Sequence, residues 1–286
     1  MTHPLITLTS PAKLNLMLHI IGRRADGYHQ LQTVFQFVDY GDSMQFKLRA
    51  DQQLLLHDPL PGVPPEQNLI LRAAQLLQQH CNVQHGAEIW LTKQLPMGGG
   101  VGGGSSNAAT TLLALNHLWQ CQLSLTELAQ LGLQLGADVP VFIQGQACFA
   151  EGVGEQMTPL TLPEPWFLVL TPKVSISTAE VFSAPELTRD SQPITIRTVL
   201  EQGHRNDCQA VVERLYPEVH EALNLLGRVC QAKLTGTGSC VFGSFPSQAA
   251  AESAAKTLPN SLPYFIAKGA NTSVTHHQLN KLKELG

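Results

Sequence analysis

Six of the seven residues from Gly98 to Gly104 are glycine, and Ser105, Ser106 and Asn107 lead from them into an alanine- and leucine-rich stretch. Glycine loses more backbone entropy on folding than any other residue, so such a run is costly unless the fold needs bare main chain. Exposed N–H groups feeding a helix N-terminus suit a polyphosphate, because unpaired amides and the positive end of the helix dipole converge there. The run Pro96-Met97-Gly98-Gly99-Gly100-Val101-Gly102-Gly103-Gly104-Ser105-Ser106 is therefore read as a nucleotide triphosphate site. It lacks the lysine of a Walker A loop. Gly98, Gly100 and Gly103 satisfy G-x-G-x-x-G formally, but Pro96 interrupts the approach from the preceding strand and no acidic residue follows before Glu127. Both features argue against a dinucleotide site. A glycine loop with a purely structural purpose remains as the alternative.

Three further places carry groups suited to chemistry. Leu14, Leu16, Leu18 and Ile20 alternate with Lys13, Asn15, Met17 and His19. That period of two marks a half-buried strand with Lys13 and Asn15 on the face opposite the leucines. Asp138, within Leu135-Gly136-Ala137-Asp138-Val139-Pro140, is a carboxylate able to take a proton from a hydroxyl, or the cap of a turn starting at Val139. Tyr28 and His29 follow a breaker-rich turn, where an aromatic face and a ring N–H can meet a ligand. Phe182 is a second aromatic candidate. Taken locally, each has a plain alternative: a solvated lysine, a cap, ordinary core rings.

The elements that must hold these groups are partly legible. Strand patterns cover Leu31 to Phe37 and Met44 to Leu48, and a proline-rich loop occupies 57–68. Asn68 precedes a helix from Leu69 to about Gln79. A strand from Ala87 to Leu91 delivers the chain into the glycine loop. Ala108, Leu112, Leu115 and Trp119 repeat at helical spacing, which predicts an amphipathic helix from near Ser106 or Asn107. Ser124 and Glu127 form a capping box for a helix running to Gly136. Val141 to Phe149 reads as a strand, and Glu151 to Glu155 as a hinge between lobes 1–155 and 156–286. Beyond it come a strand at Trp166 to Thr171 and helices near 178–182, 194–201, 207–215 and 217–231. The small-residue loop Leu234-Thr235-Gly236-Thr237-Gly238-Ser239 follows, then a helix from Ser247 to Leu258 and a strand from Tyr264 to Lys268. Segregated helices and strands favour an α+β fold.

Composition narrows the partners. The chain has 286 residues and a net charge of −4, with no cluster of Lys and Arg, so no nucleic-acid footprint is present. No stretch approaches the roughly 20 apolar residues of a membrane span. Six cysteines lack C-x-x-C spacing, and nothing at the N-terminus resembles a secretion signal. Reduced thiols in a cytoplasmic protein are the expectation.

The glycine loop, together with Pro11-Ala12-Lys13-Leu14-Asn15-Leu16 and Leu234 to Ser239, resembles the GHMP kinase superfamily of galactokinase, homoserine, mevalonate and phosphomevalonate kinases. Asp26-Gly27-Tyr28-His29 and the Asp138 motif narrow the resemblance to a branch acting on a cytidyl diphosphate sugar alcohol. The resemblance implies a two-lobed α+β fold with its active site in the cleft between lobes, and ATP with Mg²⁺ as phosphoryl donor. It implies that Pro96 to Ser106 hold the phosphates, with Asn68 and Lys93 bordering the adenosine. Lys13 and Asp138 become the catalytic pair, and Asn15, Tyr28, His29 and Phe182 the acceptor contacts. Ser105 and Ser106 are hydroxyls near the metal, but no protein ligand to it is assigned. A monomer or weak homodimer is expected. Mevalonate- or homoserine-type kinases are the nearest rivals, with an NAD-dependent oxidoreductase further off.

Overall fold

The computed structural model describes residues 5–25, 27, 29–201 and 205–285. Strands β1 (Ile6–Arg23) and β2 (His29–Arg49) form a long antiparallel ribbon. The two strand patterns expected in Leu31–Phe37 and Met44–Leu48 are thus one strand, with Asp42 buried in the stretch between them. β2 has β1 along one side. Its other side pairs in succession with β5 (Cys148–Gly152), β10 (Tyr264–Ala270) and β4 (Gly86–Thr92). At 21 residues it is long enough to serve all three. Sheet order is β3-β4-β2-β10-β7-β9-β8, where β3 is Leu54–His57, β7 Trp166–Leu170, β8 Lys233–Leu234 and β9 Val241–Phe245. β6 (Gln156–Pro159) closes a hairpin with β5, so the expected hinge at 151–155 is its turn.

Helices α1 (Leu69–His80), α2 (Gly103–Leu118), α3 (Leu125–Leu133) and α4 (Val139–Gln144) pack on the β2–β4 end of the sheet. Helices α5 (Thr178–Ser183), α7 (Gln209–Leu215), α8 (Pro217–Gly227) and α9 (Gln248–Ala255) cover β7 and β9. The short α6 (Ile196–Glu201) buries Val199 beside Met17 and Phe149. The C-terminal helix α10 (Val274–Leu285) returns to the first core through Leu279. Asn68 caps α1, its side chain accepting from the Ile70 N–H at 2.9 Å, and the expected box of Ser124 and Glu127 opens α3.

Several expectations need correction. α2 begins at Gly103, earlier than the apolar repeat indicated, because Gly102 adopts a left-handed conformation at its N-cap. It is not amphipathic: residues 106–115 are all buried, as expected for a helix enclosed on every side. The Val141–Phe149 strand is instead helix α4 followed by β5. Pro140 fits a first helical turn, and Gly145, at φ 68°, ends the helix after six residues. α3 stops at Leu133, short of Gly136. β3, β6, β8 and α10 were not anticipated.

Candidate active site

The glycine loop and the small-residue loop 235–240 interlock. Gly98, Gly100 and Gly102 all have positive φ. A Cβ on Gly100 would stand 2.3 Å from the Thr235 carbonyl oxygen, and one on Gly102 2.6 Å from the Phe142 ring. The Ser239 and Cys240 N–H groups donate to the Gly98 and Gly99 carbonyls at 3.3 and 3.0 Å. These glycines therefore have a steric reason to be glycine. Gly104 is different: its Cβ would meet nothing closer than Leu69 at 3.5 Å. The first intrahelical bond of α2 runs from Ser106 N–H to Gly102 O at 2.8 Å. That leaves the amides of Gly103, Gly104 and Ser105 at the unpaired, positive end of the helix. All three residues line a cavity of about 580 Å³. Val101 points away from it, fully buried in the core.

Lys13 is not a solvated strand lysine. Its side chain is 3% exposed, and its backbone N–H donates to Val101 O at 3.0 Å. Burying an ammonium is costly unless its protons are paired. Here Nζ donates to Asn15 Oδ1 at 2.5 Å and Gly100 O at 3.1 Å, and lies 3.3 Å from Asp138 Oδ2 and 5.3 Å from the Phe35 ring centre. Both side-chain groups of Asn15 are engaged, since its Nδ2 donates to Thr33 Oγ1 at 2.8 Å. Asp138 occupies the N-cap position of α4 in an αR conformation, yet makes no capping hydrogen bond. Its carboxylate turns to Lys13 and stays 40% exposed to the cavity. The pair is thus sealed on the cation side and open on the anion side.

Asn68 and Lys93 also line this cavity. Lys93 pairs with Asp42, whose buried carboxylate accepts from the Gln94 and Leu95 amides at 2.7 and 2.8 Å and from Asn107 Nδ2 at 2.9 Å. Ser106 is turned inward and accepts from Ser10 Oγ at 2.8 Å, so Ser105 is the hydroxyl left facing the cavity. Among the described residues, no cluster of three or more His, Cys, Asp or Glu is placed to hold a metal.

At the other end, Phe182 of α5 lines the cavity and stacks on His29, with ring centres 4.9 Å apart at 26°. His29 is itself behind the lining. Tyr28 lies outside the described residues. Burial, then the charges of Arg189 and Arg23, hold the His29 imidazole below its ordinary pKa. The sequence reading did not single out Asp42, Thr33 or Arg189, and took Thr235 only as part of its loop; Asp42 lies in a strand that also carries Gln36, Asp39 and Lys47, so nothing local marks it.

Residues 68–146 match the family model of the GHMP kinases N terminal domain, and 185–263 that of the GHMP kinases C terminal. A 4-diphosphocytidyl-2-C-methyl-D-erythritol kinase of Ectopseudomonas mendocina is 60% identical over 98% of this chain and 96% of its own length. One of Pseudomonas syringae pv. syringae is 60% identical over 99% and 100%. Among solved structures, a 4-(cytidine 5'-diphospho)-2C-methyl-D-erythritol kinase superposes with TM-score 0.82 at 31% identity, covering 93% of this chain and 99% of that one. The mevalonate kinase of Methanococcus jannaschii shares the fold at TM-score 0.68 and 17% identity, covering 95% and 99%. No helix among the described residues is long and apolar enough to cross a membrane. The chain belongs to the 4-diphosphocytidyl-2-C-methyl-D-erythritol kinase family of the GHMP kinases.

Proposed function

We propose that this chain transfers the γ-phosphoryl group of ATP to the 2-hydroxyl of 4-diphosphocytidyl-2-C-methyl-D-erythritol, giving the 2-phosphate and ADP. In this reading the step belongs to the non-mevalonate route to isoprenoid precursors and runs in the cytoplasm. The cavity is in this reading the substrate cleft, with Lys13, the glycine loop and Asp138 on one side and Thr178, Phe182 and Thr237 on the other.

Phosphoryl transfer needs positioning and charge neutralisation more than covalent chemistry. The amides of Gly103, Gly104 and Ser105 receive the phosphates at the α2 dipole, and Asn68 and Lys93 border the nucleoside. Mg²⁺ bound with the nucleotide supplies further neutralisation of the polyphosphate. Such an ion takes one or two protein oxygens and keeps several waters, and the Ser105 hydroxyl and Asp138 carboxylate are oxygens of that kind on the cavity wall. Asp138 orients the acceptor hydroxyl and takes its proton, because its carboxylate is the open member of the pair. Lys13, fixed by Asn15 and Gly100, neutralises charge beside it. Phe182 gives the cytosine an aromatic surface, with Tyr28 and His29 completing the base site. Asn15 acts on the acceptor through Lys13, since its own amide is already engaged.

One observation carries the reading: a buried ammonium 3.3 Å from a solvent-facing carboxylate, beside unpaired helix amides. The test is ADP release with ATP-Mg and a panel of alcohols. Turnover confined to the cytidyl diphosphate methylerythritol supports it. Turnover with mevalonate or homoserine instead, or with none of the panel, sinks it.

A further inference from the structure

Asp42 is fully buried behind the cavity wall, on β2 opposite Ser10 of β1. Its Oδ1 accepts from the Gln94 and Leu95 amides at 2.7 and 2.8 Å. Its Oδ2 accepts from Lys93 Nζ and, at 2.9 Å, from Asn107 Nδ2. Asn107 Nδ2 also donates to Ser10 Oγ at 2.9 Å, which donates in turn to Ser106 Oγ at 2.8 Å. A buried carboxylate is costly unless it is paired, and here each oxygen has two donors. Gln94 and Leu95 precede the glycine loop, and Ser106 and Asn107 follow it. One carboxylate therefore ties the entry of that loop to its exit.

Among these partners Lys93 brings a charge to the cavity wall, with its side chain 20% exposed against 0% for Asp42. A Cβ built on Gly103 would lie 3.0 Å from Lys93 Nζ, so the ammonium stands over the first residue of α2. The helix dipole is positive at that end and disfavours a cation there. The amides of Gly103, Gly104 and Ser105 have no intrahelical partner and belong to residues lining the same cavity. Two features of like sign thus converge on one place, and the Asp42 carboxylate offsets them from beneath without entering the cavity. Such an arrangement is organised for an anion before the anion arrives.

We propose that Asp42 is a positioning residue for the nucleotide: through Lys93 it holds an ammonium at the start of α2, and through Gln94, Leu95 and Asn107 it keeps the glycine loop in the shape that receives ATP. The assignment rests on the cavity being the ATP site, as proposed above. Asparagine in place of Asp42 would keep the shape of the side chain but offer one acceptor oxygen and an N–H₂ donor group. That donor would face either the two backbone amides or Lys93 and Asn107.

The test measures Kd for ATP-Mg and for 4-diphosphocytidyl-2-C-methyl-D-erythritol by calorimetry, in wild type, Asp42→Asn, Lys93→Met and the double variant. Asp42→Asn should weaken ATP binding at least about tenfold, the scale of one charged hydrogen bond, and leave the acceptor within about twofold. Lys93→Met should do the same. The double variant should lose less than the product of the two single losses, because the residues act as a unit. A matching loss of both ligands in Asp42→Asn means the carboxylate only holds the fold, and overturns the proposal; so do losses that multiply in the double variant. Nitrogen-15 spectra of the lysine ammonium groups in the wild type, without nucleotide, are independent of any variant's folding. A Lys93 ammonium protected from solvent exchange supports the proposal, and one exchanging like a solvated lysine overturns it. Wild type that binds no ATP-Mg refutes the nucleotide site itself, whereas ATP binding that neither single variant weakens refutes this inference alone.

Discussion

The two ends of the cavity are built from different material. The end proposed to hold phosphate is main chain: interlocked glycines, amides at the start of α2, and a lysine held by a carbonyl and an amide oxygen. The end proposed to hold the acceptor is side chain: Phe182 on the cavity wall, with His29 stacked on it and Arg189 bonded to both. Main chain locked by positive φ and close contact tolerates almost no substitution, but it reads only charge and shape. Side chains with defined donors and acceptors can read the identity of a base. Chemistry shared by the GHMP fold suits the first kind of construction, and substrate choice suits the second.

Five changes break or sharpen that contrast. The largest effect is expected from Asp138→Ala, which should lower kcat by at least about a hundredfold, the scale of general-base loss, while ATP affinity stays near normal. Full activity would remove Asp138 from the mechanism. Next, Gly100→Ala forces a Cβ to within 2.3 Å of Thr235 O at a φ of 73°. It should cost about 1–3 kcal/mol of stability along with activity. Gly104→Ala, where a Cβ meets only an ordinary contact, should fold at least as well and act on KM for ATP. If both alanines lowered the melting temperature alike, the steric account of the loop would be wrong.

At the acceptor end, Phe182→Ala should raise KM for the cytidyl substrate about tenfold, within the 1–3 kcal/mol range of base stacking, and leave KM for ATP nearly unchanged. The smallest effect concerns His276 on α10. Its Nε2 meets Ile143 O at 2.9 Å, near the end of α4 opposite Asp138, and its buried Nδ1 has no hydrogen-bond partner. Burial lowers its pKa, as it does for His19 and His29. A histidine kept neutral by folding stabilises fully above its unfolded pKa of about 6.5, and that contribution fades as pH falls toward the lower folded value. Between pH 7.5 and 5.5 the melting temperature should therefore fall by a few degrees, and less in His276→Gln. An identical slope in the variant would take His276 out of the acid sensitivity.

Legibility in the sequence followed the same division. Lys13, Asp138 and the glycine loop stand out in the sequence because their motifs are contiguous and the proposed chemistry demands particular residue types. Even so, the local alternatives for Lys13 and Asp138 fell only to geometry: one is buried, and the other caps nothing. The Val141–Phe149 segment was misread because a short apolar run has no decisive period, and Gly145 decided in favour of a helix. Asp42, beneath Lys93 and Asn107, was hidden because its partners lie 51 and 65 residues away.

The sequence by itself determined the glycine loop ahead of a helix, the α+β class, the capping box of α3, and Lys13 and Asp138 as a candidate ammonium and carboxylate. Each depends on residue type at short spacing, and local physics suffices. Only the tertiary structure decided which glycines serve packing and which leave amides open, which way the Lys13–Asp138 pair faces, and that Arg189 meets His29 from 160 residues away. Those outcomes depend on contacts between distant segments, whose geometry exists only once the chain has folded.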